Sequence, residues 1–177
     1  QIKNVLPPKS HSGAGRGIFG VSNYKIENEK LIDTKNGPSQ LILADGDTDP
    51  WVLGKESSTG QQAALAGNYG VIYEIELKWK STDGKGLALV TWNSRSGNNQ
   101  WCGGMAATMI VSDGKFAKGI QQLPKEELIT RKAPEAILVQ VFEPNGDEEI
   151  QSVHLTYSPP GASCLPTPLI FIPVDLK

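Results

Sequence analysis

The sequence predicts an all-β fold, an antiparallel β-sandwich, and three observations carry that reading. Residues 70–80, GVIYEIELKWK, alternate apolar and charged side chains with a period of two. Short apolar runs of the same kind recur along the chain, each closed by Gly, Pro, Asn or Asp. A helical look is confined to one stretch, near 121–132. The pattern leaves jelly-roll-like and immunoglobulin-like topologies both open.

The elements follow in order. Residues 1–14, with Pro7 and Pro8 and then a Ser/Gly run, read as an extended arm, because proline donates nothing to a sheet ladder. Residues 15–177 read as a single sandwich domain. Tyr24 to Leu31 and Gln40 to Ala44 are short strand candidates. In 70–80, Tyr73, Ile75, Leu77 and Trp79 share the core face, while Glu74, Glu76, Lys78 and Lys80 point to water. Thr82-Asp83-Gly84 then supplies a turn into Leu87–Trp92, and the pair reads as an antiparallel hairpin. Met105 to Val111 closes on the turn signal Asp113-Gly114. Gln121 to Lys132 reads as about two turns of helix, with Pro124 suited to a first turn and Glu126 and Glu127 to the positive end of the dipole. Ala136–Phe142 and Glu149–Tyr157 flank Asn145-Gly146, the strongest hairpin signal in the chain. Leu169–Ile172 is the last strand, after a proline-rich loop.

Composition narrows the function. The 177 residues carry 17 Lys+Arg against 19 Asp+Glu, a formal net charge of −2, without the basic excess of a nucleic-acid footprint. No apolar run approaches a membrane span. The chain opens at Gln1 without Met, a basic segment or a signal-type stretch, as expected of a processed export product or a piece of a longer chain. Two His and two Cys offer little material for a multi-ligand metal or redox centre. Cys102 and Cys164 are the candidate disulfide, worth about 3–4 kcal/mol in the loop-entropy picture, against the alternative of two buried thiols.

Candidate chemistry lies in loops. His154 falls on the water face of its strand, and His11 lies in the arm; neither belongs to a nucleophile elbow, phosphate loop or dinucleotide motif. Asp45, Asp47 and Asp49 occupy positions one, three and five of a calcium-type loop, with Glu56 at twelve, so Ca²⁺ is the one candidate cofactor. Pro50 stands where that loop wants Gly, and the competing expectation is an acidic turn closed by Asx bonds. Trp92 and Trp101 flank the polar run 93–100, so Trp92, Asn93, Arg95, Asn98 and Trp101 form the candidate ligand site. Aromatic faces stack on sugars, and Asn and Arg bond their hydroxyls. Trp79 and Tyr73 are assigned to the core.

Gly15-Arg16-Gly17-Ile18-Phe19, the Asp49-Pro50 loop and Gly67-Asn68-Tyr69-Gly70-Val71-Ile72-Tyr73 form a set of short motifs. The set resembles an uncharacterised β-domain found in exported surface proteins of Gram-positive spore-formers and cyanobacteria. The resemblance spans roughly 15–157 and implies an extracytoplasmic, extracellular or cell-surface domain with no catalytic residues to transfer. Three readings follow. The first is a non-enzymatic surface domain for adhesion, envelope or fibre structure, whose arm contacts other copies of the chain. The second is a carbohydrate-binding module with polysaccharide as partner. The third is a hydrolase using loop carboxylates.

Overall fold

A computed structural model describes residues 17–57, 59–92, 107–123, 136–161 and 165–176. Among them are thirteen strands: β1 (Ile18–Phe19), β2 (Asn23–Glu27), β3 (Ile32–Asp33), β4 (Ser39–Leu43), β5 (Leu53–Lys55), β6 (Gln62–Ala64), β7 (Ile72–Lys80), β8 (Gly86–Trp92), β9 (Ala107–Val111), β10 (Gly119–Leu123), β11 (Ala136–Phe142), β12 (Gln151–Ser158) and β13 (Thr167–Val174). One 3₁₀ turn, Thr34–Asn36, follows β3. The fold is the expected all-β sandwich.

Its topology comes from nested pairing. β4 pairs β13, β7 pairs β12, β8 pairs β11, and β9 pairs β10, all antiparallel. This is one long ribbon folded back on itself at the β9–β10 hairpin. The ribbon is rolled so that β13 also meets β8 and β12 also meets β9. Two sheets result, ordered β10-β9-β12-β7-β2 and β11-β8-β13-β4. The eight ribbon strands, β4 and β7 to β13, form a jelly roll, with β2 added at one edge. A three-stranded sheet, β1-β5-β6, is added beside it.

The alternation in β7 does what its period dictates: Tyr73, Ile75, Leu77 and Trp79 are buried, while Ile72, Glu74 and Lys78 are exposed. Val153, Leu155 and Tyr157 of β12, Leu87 and Leu89 of β8, and Leu169 and Phe171 of β13 complete one core between the sheets.

The structure corrects the sequence reading at four points. β7 and β8 are not a hairpin: they lie in opposite sheets, and residues 81–85 cross between them. Five extended residues reach ~16 Å, enough to span sheets packed about 10 Å apart. The Asn145-Gly146 signal likewise sits in a crossing, because β11 and β12 lie in different sheets. The helix expected over 121–132 does not begin at Gln121, since residues 121–123 are the end of β10, paired residue by residue with β9; residues 124–132 lie outside those described. Finally, the sandwich is not wholly antiparallel, for β2 and β3 both run parallel to β7. Between them, the Asn28 carboxamide stands in for a strand residue. It donates to Lys78 O (2.8 Å) and accepts from Lys78 N–H (2.7 Å).

The two ends of the sandwich differ. At one end the connections are short (81–85, 112–118 and 143–150). A reciprocal clasp ties the β3 segment to the 81–85 crossing there: Thr82 Oγ1 donates to Asp33 Oδ1 (2.8 Å), and Thr34 Oγ1 donates to Asp83 Oδ1 (2.5 Å). At the other end the chain between β4 and β7 (44–71) folds over the core. The strand ends that flank 93–106, 124–135 and 162–164 lie at that same end.

Candidate functional site

At the long-loop end, the acidic stretch after β4 is an ordered turn. The Asp45 carboxylate accepts from the backbone N–H of Asp47 (3.1 Å), Thr48 (3.3 Å) and Asp49 (2.8 Å). These are the Asx bonds that short acidic side chains form in turns. Burial pushes the Asp45 carboxyl up, but these amides outweigh it and hold it below the ordinary carboxylate value. The turn needs Gly46, whose φ is +83 and where an added Cβ would stand 2.6 Å from the Trp51 ring.

Asp49 turns inward. Its Oδ2 accepts from Ala44 N–H (2.6 Å) and from the Tyr73 hydroxyl (2.6 Å). The first bond secures Ala44 at φ 60, a conformation alanine seldom adopts. Asn68 completes the network: its Nδ2 donates to Tyr73 Oη (2.8 Å) and Pro50 O (3.2 Å), and its Oδ1 accepts from Val52 N–H (2.9 Å). Burial pushes the Tyr73 phenol well above its ordinary value, and the bond to Asp49 pushes it further. Two of the sequence motifs, Asp49-Pro50 and Asn68…Tyr73, are thus parts of one hydrogen-bonded network. Gly67 and Gly70 have φ of +83 and +82, and Asn68 is left-handed at φ 47.

This geometry gives the calcium-loop carboxylates protein partners. Asp45 is used by three amides and Asp49 by Ala44 and Tyr73, while Asp47 is exposed. Glu56 accepts from Thr59 N–H (3.0 Å) and Thr59 Oγ1 (2.9 Å) within its own turn. Among the described residues, no group of three or more His, Cys, Asp or Glu stands where it could share a metal ion.

A second cluster lies on the water face of the sheet that holds β7. His154 is exposed opposite Glu76, and Ser112 N–H donates to His154 O (3.3 Å) from the other side. Ser112, His154 and Glu76 therefore stand in one cross-strand row, beside Lys25, Glu74 and Thr156, around an open hollow of about 220 Å³. The order is that of a nucleophile, base and acid, but hydrogen bonds do not link it as such among the described residues. Instead, Glu76 Oε1 accepts from Ser152 Oγ (3.4 Å). Sequence reading missed this row, because its neighbours are set by strand register and none of its residues carries a motif.

Of the other nominated residues, Trp92 ends β8. Asn93, Arg95, Asn98, Trp101, Cys102 and Cys164 lie outside the described residues, as does His11. No family model matches this chain, and no curated protein or solved structure shows significant similarity to it.

Proposed function

We propose that the chain is a non-enzymatic domain of an exported surface protein, acting in adhesion, envelope or fibre structure. One observation carries this reading: among the described residues, Thr91 excepted, most buried polar side chains are engaged in holding loops to the sheets or to one another. Asp33 binds Thr82, Thr34 binds Asp83, Asn68 and Asp49 bind Tyr73, and Gln140 binds the 116–117 backbone. Such groups stiffen a scaffold, and a rigid scaffold with loops at its ends suits binding and assembly. The motif resemblance points to the same location. An antibody against the domain is expected to label intact cells that make the protein; label that appears only after permeabilisation overturns the surface placement. Exchange of the arm 1–14 between copies predicts that deleting residues 1–12 shifts the size-exclusion profile.

A second reading, a carbohydrate-binding module using Trp92 and Trp101, draws on the topology. The end of β8 and the start of β9, which flank 93–106, lie at the end that carries the acidic turn. Polysaccharide binding that disappears in Trp92→Ala or Trp101→Ala supports it. The hydrolase reading gains nothing from Asp45 and Asp49, whose oxygens accept bonds from the protein itself.

A further inference from the structure

At the short-loop end, the mouth between the two sheets opens as a cleft of about 190 Å³. Its floor is Trp79, 1% exposed, the last core residue of β7. Buried indole N–H groups ordinarily have a partner. That of Trp79 has none among the described residues, where the fully enclosed side-chain atom without a partner is Thr91 Oγ1. Trp79 lines the cleft, so an acceptor bound there is placed to take this N–H.

The walls are built and charge-balanced. Lys115 pairs with Glu143 (3.1 Å), and Lys118 pairs with Asp113 (3.2 Å). Gln151, opposite Trp79 in the ladder, fixes the 143–145 backbone: with its amide assigned from the hydrogen-bond network, its nitrogen faces Glu143 O (3.2 Å) and its oxygen faces Asn145 N–H (3.0 Å). The facing turn is fixed by Gln140, whose Oε1 accepts from Phe116 N–H (2.7 Å). The exposed Asn145 carboxamide stands at the rim, 3.2 Å from the Gln151 amide nitrogen, and a carboxamide's two donors and two acceptor lone pairs leave capacity beyond that one contact.

We propose that this cleft binds a neutral polyol, the hydroxyls of one sugar ring. Paired charges of both signs disfavour an ionic ligand. Planar carboxylate and carboxamide groups match vicinal hydroxyls, each of which donates and accepts. The volume falls below the ~300 Å³ at which drug-sized pockets begin, so one ring is the fitting size. The site lies at the opposite end from Trp92 and stands independently of the surface-domain reading.

The test uses the full chain, ¹⁵N-labelled, with the Trp79 indole cross-peak assigned by through-bond experiments. The probes are methyl α-glucoside, methyl β-galactoside and N-acetylglucosamine. At least one is expected to move that cross-peak saturably, with Kd in the millimolar range. Asn145→Ala should weaken binding about 3–10-fold while the rest of the spectrum stays dispersed, the size expected for one lost hydrogen bond. Trp92→Ala and Trp101→Ala should leave it unchanged. A Trp79 cross-peak that stays still or moves linearly with every probe overturns the proposal. So does saturation that survives intact in Asn145→Ala, or that disappears in Trp92→Ala.

Discussion

At Asn68 the backbone is left-handed while the side chain is entirely withdrawn from water, and few residue types tolerate both. Asn does, because its short amide can reach the backbone on one side and Tyr73 on the other. Asn68→Ala loses these bonds and strains the backbone at once, so it should destabilise the fold by about 2–4 kcal/mol in urea unfolding. Asn68→Gly relieves the strain but not the loss, and should cost less than Ala. Equal costs would show that backbone strain adds nothing at this position. The neighbouring acidic turn gives a second residue-scale outcome. Asp45 already takes three amides, so the turn is closed by its own bonds. Melting curves in excess chelator and in millimolar Ca²⁺ should then coincide; a rise in Tm with Ca²⁺ would assign Asp45, Asp47 and Asp49 to a cation after all.

Among the elements, the β2–β3 edge is unusual in being continued by a side chain. Asn28→Ala removes a donor and an acceptor from the β7 ladder and should cost about 1–2 kcal/mol. Asn28→Asp keeps only the acceptor and should fall between. A null effect of both, measured by denaturant midpoint, would show that β2 and β3 dock without it. The sequence displayed β7 almost whole, because burial of one face writes a period of two directly into residue type. It also displayed the turns at 82–84 and 145–146, but not what they join. A chain reversal has the same Gly, Asn and Asp signature whether its strands bond side by side or face each other across the core, since both arrangements bury the same alternating face. The 121–123 segment was misread for a related reason: Gln121 is buried against Ala117 O through its amide, a tertiary contact no local pattern announces. Asn68 was visible in the sequence as part of the Gly67–Tyr73 motif. Its bond to Tyr73, and the approach of Gln151 to Trp79 at the opposite end, depend on turn geometry and strand register and were not.

For the molecule as a whole, the rolled ribbon gathers loops at two ends, and each end is fastened by carboxylates. At the short-loop end Asp33 is 6% exposed. Burial pushes its carboxyl up, but the Thr82 hydroxyl, the Lys35 amide and the Lys35 and Lys80 ammonium groups outweigh it and hold it below the ordinary value. Asp83 is held down first by Thr34, and Asp45 by its turn amides at the other end. A carboxylate with a depressed folded-state pKa leaves the unfolded chain binding more protons at moderately low pH, so stability rises with pH in that window. The contribution is complete above the unfolded value of about 3.9 and disappears as pH falls through the lower folded values. Stability from urea unfolding should therefore be nearly flat between about pH 7 and 5, and fall steeply below about 4. Asp33→Asn removes the most buried of these groups. It should lower stability at neutral pH and make the acid limb shallower, because one of the titrating sites is gone. An acid limb as steep in Asp33→Asn as in the parent would mean that the clasp between β3 and the 81–85 crossing does not depend on the charge of Asp33. The exposed Lys25–Glu27 pair offers the internal contrast. Screened by water on both sides, it should leave the pH profile unchanged when Glu27 becomes Gln.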